Sequence, residues 1–393
     1  MTEPIAPSAS TSGLGSSSAS TRLLTPRFVI VVACGLFYFF SVSMLVPVLP
    51  DYVEHSIGAG SISLGIVGLA FSVGAISLRL YAGRIGDRFG RRVLIIGGAL
   101  VVAGSTLSYG AVHAVWWMIL MRVVTGFGEA GFFVGAATMI TDLAPPARMG
   151  EAISYWSVAV YGGFAFGPAL GDLVRGTSRY ELAFVVSAGL ALVAALIGLL
   201  TVDIPREIID AEPGPLLNRA AVKPGTVLFL GLIPLAGFGF FMPLYAQDEL
   251  GIRSGPIFVL YGILILVVRV FGARLPDRLG GRDAGTIALV LTGTGVGIVA
   301  AWPTVVGLVV GTVVLAAGMS LLYPAMFVLA LAGVSDAERA SVVATISSFF
   351  DASQGVGAFV CGAVVAVSGN RGAFTTGAIT AMFGLVLLRA RSS

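Results

Sequence analysis

Between two long apolar segments, residues Gly83 to Arg92 read GRIGDRFGRR, five charges in ten positions of a chain where charge is otherwise scarce. A glycine-containing run of mixed charge, hemmed in by segments able to cross a bilayer, is a short turn held at a membrane surface. The pattern returns: RVFGARLPDRLGGR, from Arg269, aligns without a gap on RLYAGRIGDRFGRR, from Arg79. Arg79, Arg84, Asp87, Arg88, Gly90 and Arg92 match Arg269, Arg274, Asp277, Arg278, Gly280 and Arg282. The chain is therefore two copies of one unit.

Composition sets the solvent. The 393 residues are 57% hydrophobic and 11% charged, with a mean hydropathy of +0.98, whereas a soluble domain carries about 25% charged residues. This is the composition of an integral membrane protein. The net charge of +3 does not indicate nucleic acid, because the basic residues fall in short loops between apolar spans and form no continuous face. Cys34 and Cys361 lie far apart inside spans, outside any CxxC spacing. His55 and His113 are isolated near span ends, so neither a metal site nor a cofactor is expected. No GxxxxGK[ST] loop is present, which excludes transport driven by nucleotide hydrolysis on this chain.

Residues 1–26, rich in Ser, Thr, Ala and Pro, read as a disordered cytoplasmic tail. Twelve spans follow, near 28–50, 63–82, 93–112, 115–141, 151–174, 182–202, 224–246, 256–273, 284–301, 304–332, 341–368 and 372–389. With the N-terminus inside, sixteen Lys and Arg residues fall in cytoplasmic segments and only Arg175, Arg179, Arg253 and Arg371 fall outside. That imbalance places both termini in the cytoplasm. The polar stretch 203–223, with Pro205, Pro213 and Pro215, links a half at 27–202 to a half at 224–393. LPDY at Leu49–Tyr52 is echoed by MPLY at Met242–Tyr245. Six spans per half is an even number, so the repeats are parallel about an axis along the membrane normal. The fold class expected is all-α, with twelve transmembrane helices in two six-helix pseudo-repeats.

Two parallel six-helix halves, each with a charged turn between its second and third helices, resemble the major facilitator superfamily. The resemblance covers nearly the whole chain after the tail. Its most specific element is G-x3-D-R-x-G-x-R-R, met by Gly83, Asp87, Arg88, Gly90, Arg91 and Arg92 and echoed by Asp277 and Arg278. In the family this turn is an inner gate, its acid lying against the N-terminus of helix 11, where the helix dipole favours a carboxylate. On helix 5, Gly163, Gly167, Pro168 and Gly171 resemble the G-x3-G-P-x2-G-G pattern of proton-coupled exporters, with Asp172 in place of the last Gly. Read from the residues alone, the same stripe is small-xxx-small helix packing. An exporter of this kind implies a seal or hinge there.

Five ionisable residues fall well inside the spans: Arg79, Arg122, Glu129, Arg269 and Asp351. Each costs a few kcal/mol at the bilayer centre unless paired or wet, so each marks a functional position. Arg79 and Arg269, just above the charged turns, are expected to snorkel to the cytoplasmic surface. Arg122 and Glu129, two turns apart on helix 4, share a face. In the family an arginine at the place of Arg122, followed by Gly-x-Gly, is linked to proton transfer. Glu129 is then the proton carrier, and the alternative is a static ion pair that fixes helix 4. Asp351 is a second proton-coupling group, a counter-charge for a substrate or a hydrogen-bonding partner of nearby Ser and Thr. The first span carries no acid, which argues against a polyspecific cation exporter. Tyr38, Tyr155, Trp156, Tyr161, Phe241, Tyr261 and Phe350 are candidates to line a cavity for a small organic molecule.

The function expected is proton-coupled efflux of a small organic compound, by a monomer in the plasma membrane. An importer or uniporter for a sugar or metabolite is the alternative within the same fold. A non-transporting receptor has little loop surface to use, and no nucleophile motif suggests an enzyme.

Overall fold

The computed structural model describes residues 23–111, 113–145, 148–203, 218–272, 279–332, 334 and 338–390. Most of the expected tail and linker lies outside them, as do Asp277 and Arg278. The side chains of Asp87 and Arg269 are also outside the described set.

Among the described residues there is no strand. The long helices are α1 (Pro26–Met44), α2 (Ser61–Phe89), α3 (Arg91–Leu107), α4 (Val115–Leu143), α5 (Met149–Arg175) and α6 (Tyr180–Gly198), followed by α7 (Arg219–Leu244), α8 (Gly255–Gly272), α9 (Gly281–Ala301), α10 (Val305–Leu331), α11 (Arg339–Ser368) and α12 (Arg371–Arg389). Among the described residues, eleven stretches are long and apolar enough to cross a bilayer, and α8 adds a shorter apolar run, Gly255–Val268. The chain is a multi-pass membrane protein.

Local chemistry sets the boundaries. Thr25 caps α1 by accepting the Phe28 amide at 3.3 Å, with Pro26 in the first turn where its missing N–H is harmless. Asn218 caps α7 and Thr304 caps α10 in the same way. α2 and α3 are separated by Gly90 alone, at φ +94° and ψ 152°. Its counterpart Gly280, at φ +77° and ψ 148°, opens α9. The sequence repeat is thus also a repeat of backbone conformation, in a region that only glycine enters cheaply. Asp203, expected to begin the linker, instead accepts the Arg92 amide at 3.0 Å and caps α3.

The second repeat motif has a similar outcome. Tyr52 and Tyr245 each begin a five-residue π-helical turn, Tyr52–Ser56 after α1 and Tyr245–Glu249 after α7. π-turns are rare and concentrate at functional positions.

Three apolar clusters hold the bundle. One lies within α1–α6 around Tyr38, Phe39, Phe132 and Trp156, and one within α7–α12 around Phe238, Met242, Leu315 and Leu322. The third joins Met44, Leu49, Tyr52, Val67 and Phe184 to Phe241, Leu244, Cys361 and Val365. It lies at the end remote from the charged turn, where the two sets of helices share one core. There α5 and α8 approach so closely that a Cβ on Gly262 would overlap Ala165.

Candidate functional site

Arg79, on α2, does not reach for the surface as its position near the turn suggests. Its Nη2 donates to Glu129 Oε2 on α4 at 3.0 Å, and its Nε lies 3.1 Å from Asp351 Oδ2 on α11. The two contacts differ in kind. The first is a directed hydrogen bond; in the second the Arg79 Nε and Asp351 Oδ2 atoms are buried without hydrogen-bond alignment. Arg79 is therefore bonded to Glu129 and only held by charge to Asp351.

The triad contains two acids and one base, so a single proton brings it to neutrality. In surroundings of low dielectric the attraction at such distances is worth several kcal/mol per pair, and it offsets the similar cost of taking each charge out of water. Aromatic rings close the site. The guanidinium carbon of Arg79 lies 5.2 Å from the centroid of Phe133. Tyr323 lies within electrostatic range of both Arg79 and Asp351 and stands edge-on to Phe350 at 5.8 Å. Phe133 and Tyr323 carry no motif in the sequence that would single them out.

Arg122 does not pair with Glu129, although they share a helix. It is buried against α2, with Phe71 4.4 Å below its guanidinium carbon and a long contact of 3.5 Å from Nε to the Val67 carbonyl. The glycines between them explain the split. A Cβ on Gly126 would overlap the Phe71 carbonyl, and one on Gly128 would lie 2.7 Å from the Gly98 carbonyl. Gly126 and Gly128 therefore press α4 against α2 and α3, and the α2 backbone that they admit brings Arg79 to Glu129.

The helix 5 residues face elsewhere. Gly163, Gly167 and Gly171 lie against Phe39, Ser43 and Met44 of α1, and Ser43 Oγ donates to the Gly163 carbonyl at 2.8 Å. Pro168 sits inside α5 without ending it. Within the charged turn, Arg91 pairs with Asp142 at 3.5 Å, Arg92 Nη2 donates to the Leu199 carbonyl at 2.6 Å, and Arg88 lies over the Phe89 ring. Gly83 faces open space. Of the cavity candidates, Tyr38 and Phe241 are fully buried, Tyr38 stacked on Phe132 at 3.6 Å. Trp156 is edge-on to Phe39 and Phe133, Tyr155 to Phe28, and Tyr261 lies tilted against Phe238. Tyr161 is half-buried on α5.

A second charged cluster closes the remote end, and the sequence reading missed it. Asp51 accepts from Tyr180 and pairs with Arg175 and with His55 at 3.1 Å; His55 then reaches Asp248, beyond α7, at 3.6 Å. Asp172, the residue that departs from the helix 5 pattern, accepts the Gly255 amide at 3.0 Å, capping α8, and contacts Arg175 and Arg253. Arg175 also donates to Gln247 at 3.2 Å. The only advance signals were the LPDY repeat around Asp51 and the exception at Asp172.

A bundle of apolar helices that holds a charged triad between α2, α4 and α11, and latches one end with ions, has the build of a membrane transporter. Residues 31–307 and 253–393 match the model of the Major Facilitator Superfamily. The chain belongs to that superfamily. It is 31% identical to the uncharacterized MFS-type transporter STM4428 of Salmonella typhimurium, covering 80% of this chain and 83% of that one. It is 27% identical to a multi-drug resistance efflux pump PmrA homolog of Lactococcus lactis over 67% of this chain and 69% of that one. Among solved structures, the nucleoside transporter NupG superposes with a TM-score of 0.72 at 18% identity, covering 93% of this chain and 98% of that one.

Proposed function

We propose that this transporter exports a small organic compound in exchange for protons, by alternating access between two parallel halves of six transmembrane helices, 27–202 and 224–393. The observation that carries this reading is the Arg79–Glu129–Asp351 triad, which ties α2 and α4 to α11 and holds one acid more than its base can neutralise. Protonation of Asp351, the loosely held acid, releases α11 from Arg79. Reloading the ion pair draws α11 back. Glu129 is the second coupling group, and Arg79 is the fulcrum between them.

Positive residues at the charged turn support a cytoplasmic location for that end and for both termini, in a plasma-membrane protein. The latch of Asp51, His55, Asp172, Arg175 and Asp248 is then the outer gate, closed here. The Gly83–Arg92 turn with Asp87, and its echo at Asp277 and Arg278, is the inner gate. Tyr161, Tyr261 and Phe350, each half-buried, are the cavity candidates proposed to meet substrate, and the Gly163–Gly171 stripe holds α1 and α5 together as one moving unit. The efflux pumps among the relatives support the direction of transport.

The test is compound-dependent proton release from everted membrane vesicles energised to an acid interior, for the parent and for Glu129→Gln. Release by the parent, lost in the variant, is the expected result. Equilibration of labelled compound without any proton movement would replace exchange with uniport.

A further inference from the structure

Glu129 and Asp351, the two acids expected well inside the spans, both belong to Arg79. Arg122 is left over. Among the described residues no carboxylate lies within ion-pair distance of it, and its hydrogen bonding amounts to the one long contact with the Val67 carbonyl. A guanidinium carries five N–H donors, so four of those on Arg122 have no acceptor among the described residues. The residue is 8% exposed. The face of Phe71 offers it some compensation, but an unpaired cation in the membrane interior remains costly and calls for an anion.

We infer that Arg122 is the receptor for an acidic group on the transported compound, which is therefore an organic anion or a zwitterion bearing a carboxylate or a comparable group. The inference rests on the proposed reading that the chain transports a small organic compound, and it adds that α4 borders the path. The charge pattern along α4 supports it. Arg122 supplies an unmatched positive charge, and seven residues on, about 10 Å along the axis, the triad supplies an unmatched negative one. The two cancel over the whole site, so the bundle tolerates both while each remains open to a ligand of opposite sign. The planar fork of an arginine suits a carboxylate, which it binds through two parallel N–H donors. The lack of an acid in the first span fits the same picture, since no fixed anion there competes for Arg122.

The experiment uses the purified full chain in detergent at neutral pH, with 2-naphthoate, the neutral isostere 2-naphthamide and 2-naphthylmethylamine as probes, and thermal stabilisation as the readout. The expected result is saturable stabilisation by naphthoate, with naphthamide weaker by about tenfold or more, the scale of losing a charge-assisted hydrogen bond. Arg122→Gln should weaken naphthoate by a similar factor, and Arg122→Lys should retain more of the binding than Arg122→Gln does. Size-exclusion profiles establish that both variants are folded, and the comparison of acid with amide on the parent needs no variant at all. Equal binding of acid and amide, binding of the amine alone, unchanged naphthoate affinity in Arg122→Gln or no naphthoate binding by the parent would each overturn the inference. Because the measurement involves no gradient, failure of proton exchange leaves it unaffected, and failure here leaves the exchange reading standing.

Discussion

Arg79 Nε on α2 lies 3.1 Å from Asp351 Oδ2 on α11, a charge contact between helices more than 250 residues apart in the chain. Removing the cation leaves Asp351 and Glu129 charged and facing each other across the gap. Loss of one partner from a buried ion pair costs about 3–5 kcal/mol. Arg79→Gln is therefore expected to lower the unfolding midpoint in detergent and to abolish exchange. The triple variant R79Q/E129Q/D351N, with no charge left to strand, should recover most of that stability and still not exchange protons. A single variant as stable as the parent would mean that the pairs contribute nothing.

Glu129→Gln and Asp351→Asn each leave Arg79 with one acid and the triad with no net charge. Both are expected to lose compound-driven proton release while labelled compound continues to equilibrate across the membrane. Proton release retained by both variants would place coupling elsewhere.

Asp172 joins α5 to α8 through the Gly255 amide and shares Arg175 and Arg253. Asp172→Ala removes a cap worth about 1 kcal/mol and the charge that both arginines share. Gly262→Val instead forces a branched side chain into Ala165, an overpacking penalty of about 1–3 kcal/mol that falls only on the state with this end closed. Each is expected to hold the end open. A cysteine at Ser72, buried on the α2–α11 seam, reports this in a background lacking Cys34 and Cys361: its labelling by an impermeant maleimide should rise about tenfold in Gly262→Val, as a shift of that energy implies. Labelling at the parent rate would show that the contact does not control closure.

Gly90 and Gly280 share a backbone conformation but not surroundings. At either site alanine meets a region that costs about 1–3 kcal/mol for residues with a side chain. At Gly90 the new methyl would also strike the carboxylate of Asp203, whereas no described atom crowds Gly280. Gly90→Ala should therefore lower the unfolding midpoint further than Gly280→Ala, and adding Asp203→Ala should remove part of the difference. Equal losses at the two sites would show that Asp203 does not crowd the turn.

Periodic and compositional properties of this chain were legible directly. Apolar stretches of bilayer length announced the helices, because in lipid only a helix satisfies all its backbone hydrogen bonds within one segment. The gapless match of Arg79–Arg92 to Arg269–Arg282 announced a repeat, and Gly90 and Gly280 show it in their dihedrals. The short roster of charged residues inside the spans named every member of the triad. The partners were not legible. Helical spacing placed Arg122 and Glu129 on one face and made them a pair, but spacing describes a single helix, whereas ion pairing depends on which neighbouring helix comes closest. Gly126 and Gly128 admit the backbones of α2 and α3, and that approach gives Glu129 to Arg79 and leaves Arg122 without an acid among the described residues. Asp172 shows the same limit: in sequence it is an exception to a glycine pattern, and only the packing of α8 beside it turns the exception into a cap and a latch. The sequence determined which charges enter the membrane. Tertiary packing decided which of them meet, because at a few ångströms the attraction between two charges depends on distances that the chain alone does not set.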